Sequence, residues 1–156
     1  RYGQGDNIIN LNLARVWSNG RDVAHRRHVR MRWGGHGSFP PRHLTDGNRN
    51  SLAHTRGGRN TNYIRIDLGR EYPIDYVWLE NRKDCCQDRL KGMYIKLLRG
   101  RRKPGARWVA NEVVRSHRLM ETGAGWKTCM WQPSIGGTLG PMNPPTSYFR
   151  KHRKAF

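Results

Sequence analysis

Two short runs of alternating apolar and polar positions stand out in a polar chain. Over residues 63–68, Tyr63, Arg65 and Asp67 alternate with Ile64, Ile66 and Leu68; over residues 74–79, Ile74, Tyr76 and Trp78 alternate with Asp75, Val77 and Leu79. A repeat of two places successive side chains on opposite faces, so both runs predict strands, and the Gly69-Arg70-Glu71-Tyr72-Pro73 segment between them predicts a turn. A looser alternation over residues 11–17 predicts a half-buried strand with Leu11, Leu13 and Trp17 inward, led in by an arm over residues 1–10. Val29, Met31 and Trp33 predict a short strand that Gly34-Gly35 and Pro40-Pro41 bring to an end. Residues 93–98 predict another, followed by a basic turn over 99–105 and a further strand over 108–114. Asp46-Gly47-Asn48 is a turn signal, because Gly takes positive φ and the flanking side chains bond the backbone locally. Residues 123–140 carry Trp126, Cys129 and Trp131 without a clear period, and 141–145 reads as an extended arm.

Composition narrows the picture. A chain of 156 residues holds one core, and although only 35% of it is hydrophobic, six Trp, six Tyr and three Phe supply large buried areas. Thirty basic residues against eleven acidic give a formal charge of +19, a field that attracts polyanions. No zinc-finger spacing, RNA-recognition signature or basic amphipathic helix accompanies that charge, so no specific nucleic-acid partner is expected. Sulfated or sialylated glycans, acidic mucus or egg coats and anionic membranes would feel the same field. No run approaches the roughly 18 apolar residues of a transmembrane segment. The start at Arg1 without a methionine fits a mature product after signal removal, as it fits any trimmed chain. The odd count of three cysteines leaves Cys129 free, or paired with another chain, if Cys85 and Cys86 pair with each other; a secreted, oxidising setting is expected.

The chemistry concentrates in Glu-Asn-Arg-Lys-Asp-Cys-Cys-Gln-Asp-Arg-Leu, residues 80–90. Cys85 and Cys86 are either a strained, easily reduced disulfide of little stapling value or a pair of thiols in a basic turn. Arg82 and Arg89 flank them, and guanidinium forks suit vicinal oxygens, with Asp84 placed to orient one of them. A small polar ligand with adjacent hydroxyls, such as a sugar, fits that combination. His25 and His28 would lie one turn apart on a helix, but with no Cys or carboxylate at ligand spacing they read as part of a basic loop.

His54 in Ser-Leu-Ala-His-Thr, the Asp67-Leu68-Gly69 strand end, Asn81-Arg82 and the Arg-x-Asp-Cys-Cys-x-x-Arg element together closely resemble the F-type lectins, or fucolectins. Asn12-Leu13-Ala14, Asp46-Gly47-Asn48 and Arg89-Leu90-Lys91-Gly92-Met93-Tyr94-Ile95 extend the resemblance over roughly residues 10–100. It implies an all-β fold, a single antiparallel discoidin-like β-sandwich over residues 1–150 with a basic tail at 151–156. It further implies a secreted lectin in which His54, Arg82 and Arg89 donate to fucose oxygens, Asp84 assists, and Cys85–Cys86 forms a vicinal disulfide against the sugar. Fucosylated glycoproteins, sulfated or otherwise acidic in keeping with the charge, would be the partners, with cell or gamete recognition a fitting role. The family also holds a structural calcium, for which Asp46, Asn48 and Ser51 are the matching positions, while no acid near the C-terminus supplies its usual last ligand. The cysteine expected two residues before the histidine is Leu52, and its C-terminal partner is missing too.

Catalysis is not expected: no serine-hydrolase or zinc-protease motif is present, acids are scarce, and an adjacent thiol would trap a cysteine nucleophile as disulfide. The alternatives are a structural protein of an extracellular assembly, oligomerising through Cys129 and both arms, and a cationic polyanion- or membrane-binding protein acting by charge alone.

Overall fold

The computed structural model describes residues 7–57, 61–102, 108–120, 123 and 127–130, with 101, 102, 108–111 and 127–130 described by backbone alone. Among the described residues nine strands follow one another: β1 (Asn10–Ser18), β2 (Arg21–Asp22), β3 (Val29–Met31), β4 (Ala53–His54), β5 (Ile64–Ile66), β6 (Tyr76–Asn81), β7 (Tyr94–Arg102), β8 (Trp108–Arg118) and β9 (Lys127–Met130). Two 3-10 turns, Pro41–Leu44 and Gln87–Leu90, interrupt them, and no α-helix occurs among the described residues.

The strands build a discoidin-like β-sandwich. One sheet runs β2-β1-β6-β9, with β4 on the same edge of β1 as β2 but at its opposite end; β3 pairs with β5, and β7 with β8, every pairing antiparallel. Leu11, Ala14, Val16, Val77 and Leu79 from the large sheet meet Val29 and Met31 of β3, with Ile64, Ile66, Ile95 and Leu97 of the smaller sheets packed around them. Removing that apolar surface from water is what holds two twisted sheets together, since β-pairing alone leaves one face of each wet.

Strand positions follow the alternation, and strand phases do not. β1 is not half-buried: its first five residues are all buried, so both faces are covered at that end. Its pairing with β6 shifts register between Leu11 and Leu13, where two residues oppose one step of the partner. That bulge reverses the phase, so Leu11, Ala14 and Val16 share the core, Leu13 is buried outside that cluster, and Trp17 stacks on Tyr76 with ring centroids 5.7 Å apart. The strand expected at 74–79 is displaced to Tyr76–Asn81 because β1 keeps pairing through Asn81. Trp33 falls outside β3, where Gly34 at φ +83° turns the chain and its N–H reaches the Met31 carbonyl at 3.2 Å. Arg99–Arg102, expected in a turn, are paired strand, and β8 runs on to Arg118. His25 and His28 sit exposed in and just after a turn, not on a helix. The extended arm, the basic tail and its boundary at residue 150 lie outside the described residues.

Candidate functional site

Three separate elements deliver the sugar-site residues predicted from sequence. His54 ends β4, Arg82 follows β6, and Arg89 lies in the 3-10 turn Gln87–Leu90. The backbone brings β4 and the end of β6 to one end of β1, where Leu11 lies between Ala53 and Asn81, and the charges of Arg89 and Arg82 reach the His54 ring. Burial is the first cause that holds His54 below the ordinary histidine value; the Thr55 carbonyl opposes it, and Arg89, His36 and Arg82 add to the depression. His54 is therefore a neutral ring at pH 7.

Its tautomer follows from one contact. Nδ1 lies 2.7 Å from the Thr55 carbonyl oxygen, which only accepts, so Nδ1 carries the hydrogen and Nε2 presents a lone pair. In that tautomer Nε2 accepts a hydrogen from a hydroxyl.

Arg82 is oriented as its neighbour in the motif suggested. Nε and Nη2 donate to the two carboxylate oxygens of Asp84 at 2.6 and 2.8 Å, in the bidentate arrangement that fixes a guanidinium plane. Asp84 is largely exposed and its carboxyl is held well below the usual carboxylate range, first by that hydrogen bond. The same bond raises Arg82, so the pair stays charged over all working pH.

The loop between these arginines is folded around one buried amide. Asn81, wholly buried at 0% exposure, accepts the Arg82 N–H at 2.8 Å and donates to the carbonyls of Gln87 at 2.9 Å and Gly123 at 3.3 Å. Cys86 then turns the chain at φ 60°, left-handed for a non-glycine residue, and the Arg89 N–H closes on its carbonyl at 3.3 Å. Cys85 and Cys86 are both thiols here, half-exposed, and the contact between them raises the Cys85 thiol above its usual value. Cys129 lies opposite Trp78 in the β6–β9 pairing, and its side chain is outside the described residues.

Residues the sequence reading passed over complete the surroundings. A tight turn brings Phe39 back onto His36, and both are lashed to β4: the His36 N–H reaches the His54 carbonyl at 2.8 Å, and the His54 N–H reaches the Phe39 carbonyl at 3.2 Å. Their rings gather at His54, with centroids 5.4 Å from His36 and 6.0 Å from Phe39. A lone His and a lone Phe in a Gly- and Pro-rich loop give no periodic signal, so only the backbone pairing reveals them.

The Asp46, Asn48 and Ser51 loop also forms. Gly47 takes φ +83°, and Asn48 N–H bonds Asp46 Oδ1 at 2.8 Å, the turn expected of this tripeptide. The Ser51 hydroxyl lies 3.1 Å from the His43 carbonyl, 3.1 Å from Asp46 Oδ1 and 2.8 Å from the Asn48 carbonyl. One hydroxyl hydrogen serves one acceptor, and the Asn48 side-chain oxygen accepts the Asn50 N–H at 2.9 Å; the loop gathers oxygens of the kind a calcium ion takes. Asp46 is the single carboxylate in it, and no group of three or more His, Cys, Asp or Glu side chains at metal spacing occurs among the described residues. Asn12 Nδ2 ties the loop to β1 through the Ser51 carbonyl at 2.7 Å, so the separated Asn-Leu-Ala and Asp-Gly-Asn segments meet.

Comparison with known proteins places these features. Residues 43–132 match the family model of the NedA-like, galactose-binding domain. The chain is similar to Fucolectin-5 of Anguilla japonica, 29% identical over 116 residues, covering 70% of this chain and 59% of that protein. It is also similar to Fucolectin-6 of Anguilla japonica, 47% identical over 45 residues, covering 29% of this chain and 24% of that protein. The chain thus spans no more than about three fifths of these relatives. No solved structure matches. The two fucolectins bear out the resemblance to F-type lectins read from the residues.

Proposed function

The chain belongs to the NedA-like, galactose-binding domain family, and we propose that it is a secreted, non-catalytic lectin that binds fucose on glycoproteins through His54, Arg82 and Arg89. The observation that carries this reading is the convergence of one neutral imidazole and two guanidinium groups from three separate elements, beside the rings of His36 and Phe39.

Each part has a task in recognising a deoxy sugar. Arg82, held in plane by Asp84, and Arg89 donate to vicinal or ring oxygens, while His54 Nε2 accepts a hydroxyl hydrogen. Each charged hydrogen bond made in a partly dry site is worth about 1.5–3 kcal/mol. The apolar edge of the His36–Phe39 pair suits a methyl group where other hexoses carry a hydroxymethyl. In an oxidising medium Cys85 and Cys86 join as a vicinal disulfide, a flat polarizable surface against the sugar ring. Calcium, bound by the Asp46, Asn48 and Ser51 loop, would supply rigidity to the side of the sandwich from which β4 departs. The charge of +19 supports an acidic or sulfated coat as the natural setting, with the field raising the encounter rate and the pocket selecting the sugar.

The test is calorimetric titration of L-fucose at high salt, on untreated protein, on protein mildly reduced, and on Arg82→Ala. Binding that is lost in Arg82→Ala and weakened by reduction is expected. No heat in the untreated protein overturns the fucose reading and leaves the assembly role as the better account.

A further inference from the structure

Two shallow cavities, lined by none of His54, Arg82 and Arg89, adjoin β2 and the turn before β3. One, about 300 Å³, has Arg21, Arg70 and Tyr72 in its wall; the other, about 420 Å³, has Arg26, Arg27, Arg42 and Asp46. Arg27 joins them. Its Nη2 donates to the Tyr72 hydroxyl at 3.2 Å and its Nε to the Val23 carbonyl at 3.3 Å, which fixes the guanidinium on the ridge between the cavities. Arg70 lies over the Tyr72 ring at 4.7 Å, so the phenol sits between two cations, and its pKa is lowered first by the hydrogen bond with Arg70.

None of these five arginines is in an ion pair among the described residues. The one carboxylate in either wall, Asp46, accepts the Asn48 N–H at Oδ1. Arg26 stands at φ 54°, the left-handed region that costs a non-glycine residue energy, and its N–H is tied to the Thr45 carbonyl at 2.7 Å.

We propose that this trough is a second binding site, for the sulfate esters of an anionic glycan chain, separate from the fucose pocket. The choice of ligand rests on the glycan-binding reading above, whereas the anion site rests on the arginines. Guanidinium forks match the paired oxygens of a sulfate, and two adjacent cavities joined by Arg27 suit esters on neighbouring sugars. Single-stranded nucleic acid would want several open aromatic faces for successive bases, and the walls offer one ring, Tyr72, with Arg70 over one of its faces. A membrane surface would want apolar side chains to insert, and the walls offer only Val23.

The test uses a heparin hexasaccharide, which carries sulfate and no fucose, titrated in about 0.1 M salt, where exposed charges still act over roughly 10 Å. The variants are the Arg26→Gln, Arg27→Gln, Arg42→Gln triple, the Arg21→Gln, Arg70→Gln double, and a control that removes three charges elsewhere, Lys91→Gln, Lys96→Gln, Arg115→Gln. Both trough variants are expected to weaken the hexasaccharide roughly tenfold or more, with the control within about twofold and L-fucose affinity at high salt unchanged in all three. Equal loss in control and trough variants overturns the site, as does undiminished binding of the desulfated hexasaccharide. Oligonucleotide or phosphatidylserine vesicles that bind as tightly, with the same sensitivity to the trough variants, also overturn the assignment to sulfated glycan. Hexasaccharide binding that persists while fucose gives no heat upholds the trough and refutes only the fucose reading.

Discussion

Arg49 closes its guanidinium on Glu80 through two contacts, Nη2 to Oε1 at 2.7 Å and Nε to Oε2 at 3.0 Å. The Glu80 side chain is 2% exposed and that of Arg49 50%, so a buried carboxylate in the central strand is neutralised by a loop residue that water still reaches. Trp78 Nε1 donates to Oε1 of the same carboxylate at 3.2 Å, and Lys83 Nζ donates to the Arg49 carbonyl at 3.1 Å. The Asp-Gly-Asn loop is thereby clamped to the root of the Arg-x-Asp-Cys-Cys loop.

Removing Arg49 leaves the buried Glu80 side chain short of its counter-ion. Arg49→Ala is expected to cost about 2 kcal/mol, below the full price of breaking a wholly buried pair because Arg49 is half exposed. Arg49→Lys should recover only part, since a point charge cannot make both contacts. Urea unfolding of the three proteins checks this, and a change under about 0.5 kcal/mol in Arg49→Ala counts against the clamp.

Asn81→Ala removes three hydrogen bonds from a buried position. The orphaned carbonyls of Gln87 and Gly123 and the Arg82 N–H make a loss of about 2–3 kcal/mol the expected result, with fucose affinity reduced because the loop carries both arginines. Amide exchange over residues 82–89 should quicken more than over β1. Uniform quickening in both would assign Asn81 to the core alone.

The pKa of His54 sets a pH window. It is depressed in the folded protein, so below the ordinary histidine value of about 6.5 the unfolded chain takes up a proton that the folded chain refuses. The contribution of His54 to stability is complete above that value and is lost as pH falls through it toward the folded pKa. Subtracting the stability profile of His54→Gln from that of the parent isolates the effect, and an NMR titration should place the ring below 6.5. A ring titrating above that value would reverse the sign.

Calcium binding to the Asp46 loop would stabilise the fold by mass action, about 2.7 kcal/mol at a hundredfold excess over the dissociation constant. Thermal unfolding in calcium against chelator should show the increment in the parent and none in Asp46→Ala. An unchanged midpoint in the parent would show that the oxygen cluster is satisfied by hydrogen bonds and water.

Local patterns were legible wherever one short segment contained the whole signal. β5 and β6 lay within two residues of the alternating runs, Gly47 took the positive φ its tripeptide demanded, and Asp84 gripped Arg82 two positions away. Cys85 and Cys86 drew attention because adjacency itself is rare chemistry. The phase of β1 was not legible, because a bulge is decided by the partner strand and reverses every side chain beyond it. The burial of Glu80 was not legible either, since nothing near it in sequence named Arg49, 31 positions earlier, as its counter-ion.

The sequence by itself determined the strand-rich class, the basic field and the identity of the Arg82, Asp84 and Arg89 constellation, because those properties reside in residue type and near spacing. Tertiary structure alone decided that β4 lies against β1 with His54 opposite Asn10, that the His36–Phe39 turn folds onto it, and that Arg27 bridges two cavities between Val23 and Tyr72. Apart from the Arg27–Val23 contact, those relationships join residues 15 to 45 positions apart. They exist only once the sheets have closed over a shared apolar core and fixed which loops come out side by side.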